Sequence, residues 1–217
     1  MIMPNSNLNC PVCQNEHSRP FMCIGKSDYY QCQKCEAIFL SPTQLPSREM
    51  ELAEYRLHQN DVHDPAYRKF LSRLAVPLLA RLPASQSGLD YGCGPGPALA
   101  AMMTEAGHAM AIYDPLFFDN REVLQKRYNF ITCTEVAEHF HYPHQEFETL
   151  TKMLKPGGWL AMMTLFAPDD ANFANWHYHH DPTHVVFYRE KTFKVLADIF
   201  HWECELPCAN VVVFKKM

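Results

Sequence analysis

Nine residues in the middle of the chain, Gly88-Leu89-Asp90-Tyr91-Gly92-Cys93-Gly94-Pro95-Gly96, restrict the fold more than any other stretch. A short apolar approach ends in an acid, glycines then alternate with other residues, and a helical pattern follows at once. Leu99, Met102, Met103 and Ala106 recur at i, i+3, i+4 and i+7, which is one face of a helix. Glycine at such a junction permits positive φ and lets a ligand approach the backbone. The first N–H groups of the helix then face whatever is bound. The pattern predicts strand, glycine turn and helix, the opening unit of a nucleotide-cofactor fold.

Glycine spacing alone does not separate this turn from that of dinucleotide enzymes. The acid two residues before Gly92 does, because Leu-Asp-Tyr-Gly-Cys-Gly-Pro-Gly resembles the first motif of class I S-adenosylmethionine (SAM) methyltransferases. Two later stretches are similar to motifs of the same class: residues 128–140, and residues 154–164 with their Lys-Pro-Gly-Gly turn. A Rossmann-type dehydrogenase carries neither the strand-end Asp90 nor that turn. The resemblance covers residues 88–217, is nearest to the type 11, 12 and 23 families, and implies an α/β fold. That fold is a Rossmann-like seven-stranded methyltransferase sheet with helices on both faces. It also implies a cofactor resting against Asp90, Gly92, Cys93, Gly94 and Gly96, with Thr134 at the end of the fourth strand.

Between these motifs, residues 108–115 read as a strand ending in Asp114, about where a carboxylate would accept both ribose hydroxyls. Residues 116–127 are short for a third strand, with Asp119 or Asn120 available to an adenine ring. Residues 189–200 form an amphipathic helix, and residues 202–206 and 211–214 a closing pair of strands.

The N-terminal segment carries a different instruction. Cys10-Pro11-Val12-Cys13 and Cys32-Gln33-Lys34-Cys35 are two Cys-x2-Cys knuckles, a spacing that suits tetrahedral four-thiolate zinc. Residues 29–31 and 37–40 read as short strands of a zinc ribbon, with Cys23 a buried spare. Four thiolates leave no open coordination position, so this zinc is structural. Nine cysteines without a signal-peptide pattern point to reduced thiols and a cytoplasmic setting. No apolar run approaches the ~18 residues of a membrane span. A net charge of -5 offers no basic footprint for nucleic acid. Pro42 and Pro46 mark a linker, and residues 47–84 look helical, with Tyr67, Phe70, Leu71, Leu74, Leu78 and Leu79 at helical spacing. In the methyltransferases that the chain resembles, this segment forms part of a lid, which makes Tyr55, His58, Asn60 and Tyr67 candidate pocket residues. The expected organisation is a ribbon over 1–42, a helical lid or linker over 43–84, and a SAM-binding domain over 85–217.

Methyl transfer from a sulfonium needs an aligned nucleophile and a dry site, and a hydroxyl nucleophile gains from a base or a metal. Glu135, Glu138 and His139 are spaced i, i+3 and i+4, one face if the segment is helical. Downstream, His177, His179, His180 and His184 crowd one loop, which has no packing reason to be histidine-rich if it lies on the surface. The Glu-x-x-Glu-His run with a later histidine resembles the metal site of small-RNA 3′-terminal 2′-O-methyltransferases, and the run alone that of ubiquinone-pathway O-methyltransferases. That resemblance implies Glu135, Glu138, His139 and His184 as ligands of a second divalent ion, with Glu138, His139 and His184 catalytic; the competing reading is a metal-free site in which His139 is a base or a pocket wall. The sequence therefore predicts methyl transfer from SAM to a small-molecule acceptor, O-methylation favoured. RNA methylation through the ribbon, whose basic residues are Arg19, Lys26 and Lys34, and a non-catalytic SAM- and zinc-binding module are the competing readings.

Overall fold

The computed structural model describes residues 8–57 and 61–217. The two cysteine knuckles come first. Each closes with a hydrogen bond back to its first cysteine, Gln14 N–H to Cys10 O and Glu36 N–H to Cys32 O, both 3.0 Å. Gln14 and Glu36, the residues after each knuckle, take left-handed φ values of 59° and 63°. The chain thereby doubles back twice and aims four sulfurs at one point. Strands β1 (Ser18–Ile24), β2 (Ser27–Cys32) and β3 (Ile38–Leu40) form the antiparallel ribbon around them. Contrary to the sequence expectation, Cys23 is exposed, because β1 is an edge strand.

Helix α1 (Arg48–Tyr55) starts at Ser47, whose hydroxyl accepts Met50 N–H, and carries Glu49 and Glu51 in its first turn. This is the favoured sign at a helix N-terminus. Helix α2 (Pro65–Leu79) starts at Asp64, which accepts Ala66 N–H, with Pro65 in the first turn where its missing N–H costs nothing. It buries Leu71, Leu74, Ala75 and Leu78. The expected helical segment is therefore two helices with a break between them. His58 and Asn60 lie outside the described residues.

The main sheet and its helices follow, with β8 set apart from that sheet: β4 (Ser87–Tyr91), α3 (Ala98–Glu105), β5 (Ala109–Tyr113), β6 (Tyr128–Thr134), α4 (Pro143–Met153), β7 (Leu154–Met163), β8 (Val186–Phe187), α5 (Glu190–Phe200), β9 (Trp202–Cys208) and β10 (Val211–Lys216). The strand order is β5-β4-β6-β7-β10-β9. β5, β4, β6 and β7 run parallel, and β10 is antiparallel to both β7 and β9. The sheet has six strands among the described residues, not the expected seven. The segment between β5 and β6 is a 3-10 turn, Arg121–Gln125, too short to add a strand and its crossover. The Lys-Pro-Gly-Gly run is a bulge within β7, where pairing jumps from Tyr128↔Leu154 to Phe130↔Trp159.

Both faces of the sheet are covered. α2 and α3 pack Leu74, Leu78, Leu99 and Met103 against Phe130, Met163 and Val213. On the other face, Phe147 and Leu150 of α4 and Phe193 and Leu196 of α5 share a core with the four cysteines. Each such side chain contributes about 1.5–3 kcal/mol by leaving water. The ribbon is joined to this layer by strand pairing: β8 lies beside β3, so the small sheet runs β1-β2-β3-β8. No helix among the described residues is long and apolar enough to cross a membrane.

The histidine-rich loop departs from expectation. It folds as two 3-10 turns, Phe173–Asn175 and His177–His180, packed with β8 on the ribbon. His179 is buried, stacked on Phe173 at 5.4 Å, with Nε2 donating to Ala174 O at 3.2 Å. His177 and His180 are exposed. Packing thus accounts for His179, and His184 alone among the four reaches the main cavity.

Candidate active site

A parallel strand order places the C-terminal ends of β4, β5 and β6 along one edge, where open α/β sheets bind ligands. A cavity of about 860 Å3 opens there. One end is the glycine turn, Gly92 to Pro95, with Asp114 and Leu116; the other holds Glu135, Glu138, His139 and His184. Glu51 and Tyr55 of α1 and Tyr67 of α2 also line it.

The glycine turn works by shape. Gly92 has φ +76°, and a Cβ there would lie 2.4 Å from Val136 Cγ2. Gly94 also has positive φ, +62°. The N–H groups of Gly92 and Cys93 donate to Tyr113 O, at 2.8 and 3.2 Å. Gly94 N–H donates to Asp114 Oδ2 at 3.0 Å. These donors tie the turn to β5, so what the turn offers a ligand is close approach. Asp114 is buried at the cavity wall, and its Oδ1 accepts Leu116 N–H and Phe117 N–H at 2.9 and 3.1 Å. A carboxylate has about four lone-pair sites, so an incoming hydroxyl meets an acceptor already fixed by its own turn.

Asp90 and Gly96 are not among the cavity-lining residues. Asp90 is buried, and its Oδ1 accepts the Thr132 hydroxyl at 2.7 Å. It ties the end of β4 to β6. Burial pushes its carboxyl up to about 6, with the Thr132 hydrogen bond acting in the opposite sense. Because the folded-state value lies above the unfolded one, ionisation of Asp90 costs stability. Below about pH 4 the group is neutral in both states; between pH 4 and 6 the folded state loses roughly 3 kcal/mol relative to the unfolded one. Asp90→Asn keeps the shape, since the Thr132 hydroxyl can turn to Leu89 O, 3.4 Å away, and accept the new amide N–H. Urea melts at pH 4 and pH 8 should show the variant losing less stability over that interval than the native chain. An identical loss in both proteins would remove Asp90 as the source.

Glu135 and Glu138 were expected on one helical face with His139. The structure corrects this: Ala137–His139 is a 3-10 turn and α4 starts only at Pro143. Glu135 sits in the left-handed region, φ 51°, with its N–H donated to Met163 O at 2.8 Å. A non-glycine residue there stores about 1–3 kcal/mol. Tyr178, which sequence reasoning did not single out, connects the two acids: its hydroxyl lies 3.0 Å from Glu135 Oε2 and bonds Glu138 Oε1. One hydroxyl proton cannot satisfy two carboxylates. Burial, and for Glu135 the Glu138 charge beside it, pushes both carboxyls above the usual carboxylate range, with the Tyr178 bond acting to lower them.

The imidazoles are oriented by carbonyl groups, which can only accept. His139 Nδ1–H donates to Thr183 O at 3.0 Å, and His184 Nδ1–H to Tyr178 O at 2.6 Å. In the neutral form the ring lone pair is then on Nε2, the arrangement common to metal-ligating and general-base histidines. The rings lie 4.7 Å apart, and Tyr55 packs edge-on to His139 at 5.1 Å. Asp181 Oδ2 is 3.6 Å from His184 Nε2. Burial would raise Asp181, but the Thr183 hydroxyl and amide and the two histidines hold it below the usual range.

Ligand atoms of Glu138, His139 and His184 lie within 4.8 Å of one another. Glu135, expected as a fourth member, is not in this cluster. Glu138 Oε2, Glu135 Oε1 and Thr134 Oγ1 are buried without a hydrogen-bond partner among the described residues. An unmade buried hydrogen bond costs about 1–3 kcal/mol, so three such oxygens within residues 134–138 fit a site built for a polar ligand and a cation. In the ribbon, the Sγ atoms of Cys10 and Cys35 lie 3.6 Å apart and those of Cys13 and Cys32 3.5 Å. Tetrahedral zinc with bonds of about 2.3 Å separates its sulfurs by about 3.8 Å. The N–H groups of Cys13 and Cys35 point at Cys10 Sγ and Cys32 Sγ, as suits thiolates.

The profile of the methyltransferase domain family matches residues 58–205. No curated protein sequence is similar to the chain at a significant level. Among solved structures, the chain is similar to Burkholderia thailandensis 1,6-didemethyltoxoflavin-N1-methyltransferase with bound 1,6-didemethyltoxoflavin and S-adenosylhomocysteine. The TM-score is 0.58 at 14% identity, over 91% of this chain and 99% of that one. A SAM-dependent methyltransferase from Archaeoglobus fulgidus superposes with a TM-score of 0.52 at 16% identity, over 69% of this chain and 94% of that one. With the family profile spanning most of the sheet and the site, the chain belongs to the methyltransferase domain family and is a SAM-dependent methyltransferase of the class I fold.

Proposed function

We propose that the chain methylates a hydroxyl oxygen of a small molecule, with zinc in the ribbon and a second divalent ion at Glu138, His139 and His184. The observation that carries this reading is the cavity itself. A space of about 860 Å3 runs without interruption from the glycine turn to the Glu/His cluster, and ligand sites for small molecules span about 300–1,000 Å3. Its walls are tyrosines and acids, with Arg48 the one Lys or Arg side chain lining it among the described residues, a poor surface for a phosphate backbone. The Burkholderia relative, bound to a small molecule, supports the same acceptor class.

SAM supplies an electrophilic methyl carbon. Gly92, Cys93 and Gly94 shape its seat, Asp90 holds that seat rigid, and Asp114 stands ready for a ribose hydroxyl. Glu138, His139 and His184 would hold the divalent ion, whose chemistry is to lower the pKa of a bound hydroxyl. Glu135 accepts the acceptor's proton at Oε1, its unpartnered oxygen, and its raised proton affinity suits that task. Tyr55, packed edge-on to His139, walls the acceptor side and excludes water.

The test is methyl-labelled SAM offered to a panel of phenols, catechols and polyols and, in parallel, to total RNA, with and without a chelator that spares the ribbon. Label on small-molecule oxygen, lost with the chelator, is the expected result. Label in RNA, or full activity in the chelator with no second ion per chain by elemental analysis, overturns it.

A further inference from the structure

The two halves of the cavity are held by different parts of the molecule. The cofactor half hangs on the parallel sheet, through Tyr113 O and Asp114. The Glu/His half is tied to the ribbon, apart from Glu135, whose N–H is held by Met163 O of β7. Strand β3 pairs with β8 at Ile38↔Phe187 and Phe39↔Val186, and Leu40 N–H donates to Val185 O at 2.9 Å. Val185 passes the connection on, its N–H donating to Glu138 O at 2.8 Å. The neighbouring Thr183 O holds the His139 ring at 3.0 Å, and the Tyr188 hydroxyl donates to Ala137 O at 2.8 Å. Tyr178, which reaches Glu135 and Glu138, has its ring in one cluster with Tyr29, Ile38 and Leu40 of the ribbon.

The knuckles brace the same region. Pro11 O accepts His144 N–H and Val12 O accepts His144 Nδ1–H, both at 3.0 Å, at the start of α4. Cys35 O accepts the Thr192 hydroxyl at 2.9 Å, at the start of α5.

We propose that the cysteine ribbon is the positioning element of the acceptor side: β3 holds segment 183–187, which fixes the turn bearing Glu138 and His139 and aims His184 and Tyr178. A sheet of this size lacks the core to hold its shape without the cysteine cross-link. Loosening the sulfur cluster therefore releases β3, and with it the segment on which the acceptor-side groups hang. The glycine turn, held from β5, keeps its place. This inference rests on reading Glu138, His139 and His184 as acceptor-side groups.

Hydrogen exchange on the full chain tests it, comparing the native protein with Cys13→Ser. Exchange at 136–140 and 178–188 should rise tenfold or more, while 88–94 and 109–114 stay within twofold and SAM affinity within threefold by calorimetry. A rise confined to 8–40 overturns the proposal. So does loss of SAM binding with loss of protection throughout, since the ribbon would then hold the entire chain. Tyr188→Phe, which keeps the ring and removes one bond, should raise exchange at 137–140 with zinc content unchanged, and lower kcat severalfold at an unchanged KM for SAM. Unaltered exchange there also overturns the proposal. Full activity in a Glu138→Ala enzyme would instead defeat the reading of the site, while the exchange data still decide the positioning.

Discussion

Glu138→Ala should lower kcat by a hundredfold or more while SAM binding, followed by calorimetry, stays within threefold. Glu138 is fully buried, its Oε1 takes the Tyr178 hydroxyl, and its Oε2 is among the partnerless oxygens. It also belongs to the cluster with His139 and His184. Removing a general acid–base or metal-ligating group costs about 10²–10⁴ in rate. Among the described residues, the hydrogen-bond partners of Glu138 are Tyr178 and Val185, outside the glycine turn, so the cofactor half should not register the change. Elemental analysis adds a second readout: the variant should lose one divalent ion per chain and retain the ribbon zinc. Glu138→Gln separates charge from shape and should be nearly as slow. A variant with native kcat and native metal content would show that the acceptor is activated elsewhere.

Gly92→Ala should weaken SAM binding a hundredfold or more. Two costs coincide at this residue. The backbone is at φ +76°, where a Cβ costs roughly 1–2 kcal/mol. The added carbon would also lie 2.4 and 2.7 Å from the two methyl carbons of Val136. Val136 follows Glu135, so the turn cannot give way without shifting the base of the acceptor site. Equilibrium dialysis against labelled SAM measures the loss. The double variant Gly92→Ala/Val136→Ala opens the space and should recover part of the affinity, leaving the φ penalty. Native affinity in the single variant would mean that the turn relaxes freely, and close approach would not be its role.

Much of the site was legible in residue order because its determinants are local. Glycine is favoured where φ is positive, and two Cys-x2-Cys pairs at that spacing leave few alternatives to a metal ribbon. Pro65 after Asp64 marks a helix start from neighbouring atoms alone. The lost strand was also legible in outline, since fourteen residues between β5 and β6 leave little room for a strand and its crossover.

What sequence reasoning misplaced depended on partners far along the chain. Helical spacing put Glu135, Glu138 and His139 on one face, but Glu135 leaves β6 in a left-handed turn secured by Met163 O, a contact across the sheet. The histidine-rich loop looked unpacked because Tyr29, which packs edge-on to His179, lies 150 positions earlier. Tyr178 carried no motif, since its role depends on acids about forty positions upstream.

By itself, then, the sequence determined a glycine-turn methyltransferase sheet and a four-cysteine ribbon, because backbone conformation and short-range ligand spacing are written in consecutive residues. Only the tertiary structure decided that β3 and β8 join the two, and that Glu138, His139 and His184 converge while Glu135 faces Tyr178. Strand pairing and the burial of polar groups depend on which distant segments meet, and no local pattern specifies that.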